Sequence, residues 1–316
     1  MKLIFDVGLD SDIDLPELPD VSNADTVIRI KRATKNSDWI KELDWQYHWR
    51  TDNVICISMA KVDDGYVLKF PELADFSITS SNQSIEYYAD TKIPPESIRH
   101  LLLDQVIPRV LGQQGRLVLH ASATVLQGDS KAIAFIGSSG WGKSTLATSF
   151  LEGGAKLLTD DCLLIEIRDD KVFCTPNYFG LRLFDDSVDA IFGEKQQSIQ
   201  VAHYSEKKRL LTDQHEGSKL SSQVELGGIF LLGDPLQNIG SMQINIKPVS
   251  GAEDFMKLIA QIFIIDVSEP NLYGKLFKYI GKILSHGVPI YGLEYPREYL
   301  MLSSVQKSVK DIVNNT

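Results

Sequence analysis

The segment that most constrains the fold is a glycine-rich loop at residues 137–144, Gly-Ser-Ser-Gly-Trp-Gly-Lys-Ser, which has the pattern of a phosphate-binding P-loop. The apolar run 132–136 before it predicts a buried strand, and residues 145–151 after it predict a helix that Gly153-Gly154 ends. Backbone N–H groups of such a loop surround phosphate oxygens, and the helix N-terminus adds a positive dipole. The segment therefore predicts a nucleotide site rather than a glycine-rich turn.

The P-loop pattern also assigns individual contacts. Lys143 would reach the β- and γ-phosphates, and the Ser144 hydroxyl would bind Mg²⁺. We expect the nucleotide to be bound by Gly137, Ser138, Ser139, Gly140, Trp141, Gly142, Lys143, Ser144 and Thr145.

Composition limits the class of protein. The chain has 316 residues, enough for two domains with separate cores, and 43% hydrophobic and 23% charged residues are typical of a globular protein. The net charge of −10 argues against a nucleic-acid partner, because phosphate contacts need clustered Lys and Arg. Cys56, Cys162 and Cys174 lack metal-ligand spacing. Without a signal peptide or a membrane-spanning apolar run, we expect a cytoplasmic protein with reduced thiols and no membrane partner.

The predicted elements divide the chain into two domains and a connecting helix. Residues 1–92 predict a small β-rich domain, and residues 93–112 predict a linking helix that opens at Pro94-Pro95. Residues 113–316 predict an α/β catalytic domain, with an amphipathic helix over 303–313. The strands expected in the first domain are 27–31, 54–57, 66–70 and 76–79, with a hairpin turn at Asp63-Asp64-Gly65.

Two features of the first domain have alternative interpretations. The cluster Trp39, Trp45, Tyr47 and Trp49 is expected in the loop after the first of these strands. We favour core or loop packing for it over a peptide-binding surface. The acidic stretch 6–25 would be a solvated face, or it would steer a basic peptide segment.

Two adjacent carboxylates, Asp160 and Asp161, follow the apolar strand 157–159 soon after the P-loop helix. In isolation the pair would also fit a turn after a hydrophobic strand. Beside a triphosphate, one carboxylate can hold Mg²⁺ while its neighbour accepts the proton of an attacking hydroxyl. The P-loop nearby favours this chemical role.

Three further candidates each have a structural alternative. His120 ends the apolar strand 117–119 and could tune one of the aspartates if that strand neighbours the P-loop strand. Arg182 lies between apolar neighbours, where it would pair with a negative group such as phosphate or lie on a surface strand. Lys207-Lys208-Arg209 would bind phosphate or form a solvated turn.

Three segments together resemble the catalytic domain of the HPr kinase/phosphorylase family, in order and in spacing. They are Leu119-His120-Ala121-Ser122, the P-loop at 137–144, and Leu158-Thr159-Asp160-Asp161. Within that superfamily the chain is similar to the HPr-kinase-like enzymes of peptide-modification gene clusters, including lasso-peptide kinases. Weaker matches to this subgroup lie at 15–18, 176–184 and 288–297.

The resemblance implies an α/β fold, with a P-loop kinase domain of the HPr kinase/phosphoenolpyruvate carboxykinase type and a small β-rich N-terminal domain. It also implies that Asp160 is the base, that Asp161 and Ser144 are at the metal, and that His120 lies beside Asp160. The division of labour between the two aspartates stays open. The bifunctional HPr enzymes carry a glutamate-arginine-glycine signature downstream, of which the nearest segment here, 179–183, supplies only Arg182. Its absence argues against phosphorolysis and against HPr as the substrate.

Together these observations predict an ATP- and Mg²⁺-dependent kinase that phosphorylates a serine hydroxyl of a peptide or small protein, such as a lasso-type precursor peptide. The expected catalytic residues are Asp160, His120, Lys143 and Arg182. Three alternatives remain: a kinase of a free small molecule such as an amino acid, an HPr-directed regulatory kinase, and a nucleotide-gated peptide-binding protein. The paired aspartates disfavour the last, because a binding module needs no base. A homo-oligomer is left open.

Overall fold

The computed structural model describes residues 1–34, 38–51, 53–178, 180–193, 197–210, 223–238, 242–249 and 251–314. Phe179, part of the 176–184 and 179–183 segments discussed above, lies outside these residues. The chain divides into two compact units. The first unit comprises Met1–Arg116, Val201–Tyr204 and Phe263–Lys275, and the second comprises Leu117–Gln200, Ser205–Ile262 and Leu276–Thr316.

The first unit contains an eight-stranded sheet in the order β1-β2-β3-β8-β7-β6-β5-β4. Strand β3 pairs in parallel with β2 and β8, and the other pairs are antiparallel. All four predicted strands are confirmed. The strands are β1 (Lys2–Ile4), β2 (Val7–Ser11), β3 (Thr26–Arg32), β4 (Tyr47–Thr51), β5 (Val54–Val62), β6 (Gly65–Phe70), β7 (Ala74–Thr79) and β8 (Ser84–Tyr88).

The predicted hairpin turn between β5 and β6 is also confirmed. Val62 pairs with Gly65 across Asp63 and Asp64. Gly65 has a φ of +126°, and a Cβ there would collide with the carbonyl oxygen of Ile78. Only glycine therefore fits this position without moving the backbone.

The aromatic cluster was placed wrongly, because Tyr47 and Trp49 lie on strand β4 and not in a loop. Their rings make an edge-to-face contact with centroids 4.7 Å apart. The run Tyr-His-Trp-Arg-Thr is rich in residues that favour a pleated strand, and this preference outweighs the loop signals around it. Trp39 lies on a short 3-10 helix (Asp38–Glu42), where 39% of its surface remains exposed.

A helical segment follows the sheet, as predicted from Pro94-Pro95. It consists of α1 (Pro95–Leu101), a π-helical turn (Leu102–Val106) and α2 (Ile107–Gln113), and it groups with the first unit. Its stripe of leucine, isoleucine and valine side chains is buried. No helix among the described residues is long and apolar enough to cross a membrane.

The second unit contains a nine-stranded sheet and a three-stranded sheet with helices, so the mixed α/β class is confirmed. The elements after α2, in chain order, are β9 (Leu117–Leu119), β10 (Ala121–Val125), β11 (Lys131–Ile136), α3 (Lys143–Ser149), β12 (Lys156–Thr159), β13 (Leu163–Arg168), β14 (Lys171–Pro176), β15 (Arg182–Leu183), α4 (Asp185–Phe192), β16 (Ser198–Gln200), β17 (Lys208–Leu210), β18 (Val224–Leu232), β19 (Asn245–Pro248), α5 (Ala252–Ile259), α6 (Pro270–Ser285), β20 (Ile290–Glu294) and α7 (Leu302–Asn314).

The sheet order places the glycine-rich loop at the end of a central strand. The main path is β12-β10-β11-β18-β14-β13-β9, and β20 joins β18. Strand β11 is parallel to β18 and antiparallel to β10. Its apolar side chains share one buried cluster with α3 and α7, including Phe135, Leu146 and Val305. The predicted strand before the loop and the predicted C-terminal helix are confirmed.

Candidate functional site

The loop between β11 and α3 has the open geometry of an anion cradle. Gly140 and Gly142 adopt left-handed backbone with φ of +79° and +85°, and Gly142 caps the N-terminus of α3. The Trp141 N–H donates to the Ser138 carbonyl at 3.2 Å. A Cβ on Gly140 would meet no atom of the described residues within 4 Å, so the space above the loop is open. N–H groups at a helix N-terminus favour anions, so this open space is the candidate position for a phosphate.

Lys143 lies within this loop and is 4% exposed. Its Nζ donates to the carbonyl oxygens of Gly137 at 2.8 Å and Ser138 at 3.0 Å. Burial, together with the charge of Lys207, lowers the pKa of Lys143 to about 8 against the opposing effects of Asp161 and Asp160. At mildly alkaline pH, Lys143 is therefore present both as the charged ammonium and as the neutral amine.

Asp160 and Asp161 follow β12 in a tight turn, in which the Cys162 N–H donates to the Asp160 carbonyl at 3.0 Å. The Asp160 side chain is buried, accepting the Ser122 hydroxyl on Oδ1 at 2.6 Å and the Arg182 backbone N–H on Oδ2 at 3.3 Å. Burial raises the pKa of the Asp160 carboxyl, and the charge of Asp161 adds to this effect. Asp160 is therefore a stronger base than an ordinary aspartate.

Asp161 has a different environment, in which three cationic or protonatable side chains surround the carboxylate. Arg182 Nη1 lies 2.9 Å from Oδ2, while His120 Nε2 and Lys207 Nζ lie 3.7 Å and 3.9 Å from Oδ1. Burial opposes ionisation, but Lys207, the His120 hydrogen bond and Arg182 together hold the pKa of Asp161 well below its usual value. The environments of the two neighbouring carboxyls thus drive their pKa values apart, as in many acid–base sites.

His120 lies between β9 and β10, and its backbone N–H donates to Gln261 at 2.8 Å. The strand that His120 ends, β9, pairs with β13 and not with the P-loop strand β11. The next strand, β10, is the one that pairs with β11. The ring contacts Asp161, with Nε2 3.7 Å from Oδ1, and the expected position of His120 beside Asp160 stays a prediction. Burial lowers the pKa of His120, and Lys143 lowers it further, against the opposing effect of Asp161. The ring is therefore neutral at neutral pH.

Arg182 is almost fully buried, with 1% exposure, so the surface-strand alternative is wrong. Its negative partner in the structure is the Asp161 carboxylate. One guanidinium nitrogen also donates to the Tyr178 hydroxyl, and the guanidinium carbon lies 5.0 Å from the Tyr178 ring centroid. Strand β15 carries Arg182 to this position through its pairing with β17.

The Lys207-Lys208-Arg209 run does not act as one group. Lys207 points to Asp161, while Lys208 Nζ lies 2.7 Å from Asp185 Oδ2 on α4. The Arg209 guanidinium carbon lies 5.8 Å from the Tyr178 ring centroid. Lys207 alone of the three lines the cavity at the loop.

Arg297 was not predicted as a site residue. Its guanidinium donates to the carbonyl oxygens of Trp141 at 3.0 Å, Gly233 at 2.7 Å and Tyr295 at 2.8 Å. These contacts connect the glycine-rich loop to the residues that follow β18 and β20. In the sequence, Arg297 appeared only as part of the weaker family match at 288–297. Its role could not be predicted, because its three acceptors are backbone carbonyl oxygens and these leave no sequence motif.

A cavity of about 310 Å³ lies over the loop, within the second unit. Its lining includes the basic or protonatable side chains of Lys143, Arg182, Lys207 and His120, and also Asp186, Ser187, Glu298 and Tyr299. Ser144 and Thr145, on the first turn of α3, line it as well. The structure thus brings the predicted P-loop residues, the paired aspartates, His120 and Arg182 into one region.

The residues fit a magnesium ion only as part of a nucleotide complex. Among the described residues, no three His, Cys, Asp or Glu side chains are grouped to hold a metal ion. Mg²⁺ needs few protein ligands when phosphate oxygens and waters complete its octahedron. The Ser144 hydroxyl fits that role, whereas Asp161 would have to exchange its contacts with Arg182 and Lys207.

Comparisons with known proteins give little further information. No protein-family model and no curated protein matches the chain. A solved structure described as the HPr(Ser) kinase/phosphatase from Coxiella burnetii is similar with a TM-score of 0.33 and 11% sequence identity, covering 62% of this chain and 97% of that one. A likeness of this size assigns neither a family nor an activity.

Proposed function

We propose that the protein is an ATP- and Mg²⁺-dependent kinase that transfers the γ-phosphoryl group to a serine hydroxyl of a peptide or small protein. One observation carries this proposal: a P-loop lysine lies near two aspartates whose pKa values are driven apart in opposite directions. A nucleotide switch needs the loop but no base. A buried carboxyl of raised pKa supplies the proton acceptor that phosphoryl transfer to a hydroxyl requires.

The loop residues would hold the triphosphate. Lys143 would leave the carbonyl oxygens of Gly137 and Ser138 for the β- and γ-phosphates, and loop N–H groups would bind the remaining oxygens. Ser144 would hold Mg²⁺, which neutralises charge between the β- and γ-phosphates when it is bound. That Asp161 also binds the metal ion stays a prediction.

In the transfer step, Asp160 would accept the proton of the serine hydroxyl while the serine oxygen attacks the γ-phosphorus in line. The bond from the γ-phosphorus to the β-phosphate oxygen breaks, and ADP leaves. Ser122 already donates to Oδ1 at 2.6 Å, so the acceptor would approach Oδ2, whose bond to the Arg182 N–H is longer at 3.3 Å. Arg182 and Lys207, which lie beside Asp161, would stabilise the transferring group.

The fold type and the substrate rest on the sequence motifs. The order of the 119–122, 137–144 and 158–161 segments supports a P-loop kinase fold of the HPr kinase/phosphoenolpyruvate carboxykinase type. The proposal of a lasso-type precursor peptide as substrate rests on the weaker matches at 15–18, 176–184 and 288–297. The missing glutamate-arginine-glycine signature supports transfer without phosphorolysis. We propose that residues 113–316 are the catalytic domain and that the protein is cytoplasmic. We also propose that the acidic stretch 6–25 aids the capture of basic peptides.

The substrate class is tested by intact mass after incubation with Mg·ATP and either a genomically adjacent precursor peptide, free serine or HPr. We expect one phosphoryl group on the peptide. A phosphoryl group on HPr that added phosphate removes would contradict the proposal and indicate a bifunctional regulator. Phosphorylation of free serine alone would indicate a small-molecule kinase.

Nucleotide binding is tested with Lys143→Ala. The change deletes a charge-assisted contact to phosphate worth about 2–3 kcal/mol, so calorimetry should show Mg·ATP binding weakened about 10- to 100-fold. Exposed Lys131, which pairs with Glu225, provides a matched control, and Lys131→Ala should not change the affinity. Unchanged affinity in a folded Lys143→Ala variant would mean that the loop is not a nucleotide site.

The pKa of Lys143 predicts a pH effect on the same binding. Above its value of about 8 the free lysine is increasingly neutral, and phosphate favours the charged form. Mg·ATP binding at pH 8.5 should therefore take up a fraction of a proton, measured by calorimetry in buffers of different ionisation enthalpy. Lys143→Arg stays protonated and should abolish the uptake. Equal uptake in both proteins would assign the proton to another group.

A further inference from the structure

We propose that the cavity beyond Thr145 is a nucleoside subsite, in which the Tyr299 ring stacks on the base and Asp186 and Glu298 accept hydrogen bonds from the sugar hydroxyls. This inference rests on the proposed function and goes further, because it assigns nucleoside recognition to residues outside the P-loop motif.

The direction of the nucleotide follows from the position of the paired aspartates. The γ-phosphoryl group has to lie at the Asp161 end of the cavity, where Arg182 and Lys207 are. From there the wall continues along 182–187, and Ser187 Oγ lies 3.2 Å from Thr145 Oγ1 on α3. The rest of a bound nucleotide would therefore extend past Thr145 towards Ser187.

Tyr299 lies at this second end with its ring accessible. Its hydroxyl lies 3.0 Å from Ser187 Oγ, which fixes the polar edge of the ring, and 38% of the residue remains exposed. Tyr299 is on a 3-10 turn (Tyr299–Met301) directly before α7, which packs into the core. A rigidly held aromatic face at a cavity is suited to stacking on a nucleobase, because every base presents a π-face.

The charges of the lining residues change sign along the cavity. Lys143, Arg182 and Lys207 line the phosphate end, whereas Asp186 and Glu298 are the acidic residues near Tyr299. Arg297 also lines the cavity, but its guanidinium donates to the carbonyl oxygens of Trp141, Gly233 and Tyr295. Carboxylates repel phosphate but accept hydrogen bonds from hydroxyl groups. This distribution fits the phosphate and sugar ends of one nucleotide.

Calorimetry with Mg·ATP and with Mg·tripolyphosphate, which lacks the nucleoside, measures separately how the nucleoside end and the phosphate end of the cavity contribute to binding. Tyr299→Ala should weaken ATP binding about 5- to 100-fold and leave tripolyphosphate binding unchanged. Tyr299→Phe keeps the ring and should retain most of the ATP affinity. Leu300→Ala, at a neighbouring residue that is 87% exposed and does not line the cavity, should bind both ligands as the wild type does.

The outcomes distinguish the subsite from the P-loop. Lys143→Ala should weaken the binding of both ligands. If it weakens the binding of neither, the proposed function is wrong. If Lys143 is required but Tyr299→Ala leaves ATP binding intact, or weakens both ligands equally, the nucleoside subsite is wrong.

The carboxylates are tested with 2′,3′-dideoxy-ATP. The wild type should bind it more weakly than ATP, and the Asp186→Asn/Glu298→Gln double variant should bind the two nucleotides alike. An equal difference between the nucleotides in both proteins would exclude these carboxylates from sugar recognition.

Discussion

Replacing Asp160 with asparagine should slow phosphoryl transfer by about 10²- to 10⁴-fold, the contribution of a positioned general base. Asparagine keeps the size of the side chain, and its amide oxygen can still accept one of the two hydrogen bonds that the Asp160 oxygens receive from the Ser122 hydroxyl and the Arg182 N–H. It cannot take a proton at neutral pH. Mg·ATP affinity should stay within a few-fold, because Lys143 and Ser144 would hold the phosphates. Single-turnover kinetics and calorimetry together measure both quantities.

Asp161→Asn is the matched control for this prediction. If the Asp160 variant transfers phosphate normally and the Asp161 variant is inactive, the roles of the two aspartates are reversed. The pH profile gives an independent check. Because the pKa of Asp160 is raised, the wild-type rate should fall on the acid side at a higher pH than an ordinary aspartate would give.

Replacing Arg182 with methionine should lower the free energy of unfolding by about 3–5 kcal/mol, the usual cost of removing one partner of a buried ion pair. Arg182 is 1% exposed and Asp161 is 15% exposed, so solvent screens the pair weakly. Methionine fills a similar volume but leaves the Asp161 carboxylate and the Tyr178 hydroxyl without this donor. Urea denaturation of the whole chain measures the change.

Arg168→Met provides the comparison, because Arg168 also pairs with a carboxylate, that of Glu166, but is 47% exposed. Its loss should cost less than about 1 kcal/mol. Adding Asp161→Asn to the Arg182 variant should recover part of the lost stability, since the unpaired charge is then absent. A loss below about 1 kcal/mol for Arg182→Met would mean that Lys207 compensates for the guanidinium.

The sequence predicted those parts of the site that depend on local patterns. The P-loop between strand 132–136 and its helix follows from residues adjacent in the chain. Asp160 and Asp161 were also located, but their opposite pKa shifts were not. The shift of Asp160 depends on burial, and that of Asp161 depends on Lys207, His120 and Arg182, which are distant from it in the sequence.

The errors have the same origin. The contact of His120 with Asp161 was not predicted, because it depends on how the chain passes from β9 to β10. Arg182 looked compatible with a surface strand, because burial of an arginine depends on partners such as Tyr178. Arg297 was missed because its acceptors are backbone carbonyl oxygens, which every residue carries.

The first unit is assembled from three separate stretches of chain, and this affects the order in which the protein can fold. The 263–275 stretch supplies Asp266, whose carboxylate lies 3.5 Å from Lys61 Nζ and whose backbone N–H donates to Gln113 at 3.0 Å. A ribosome that has made only residues 1–116 has therefore not yet made all of this unit. N-terminal domains usually fold first during synthesis. Here all eight strands of the N-terminal sheet lie within residues 2–88, but the unit is complete only after residues 263–275, which are translated after the P-loop and both aspartates.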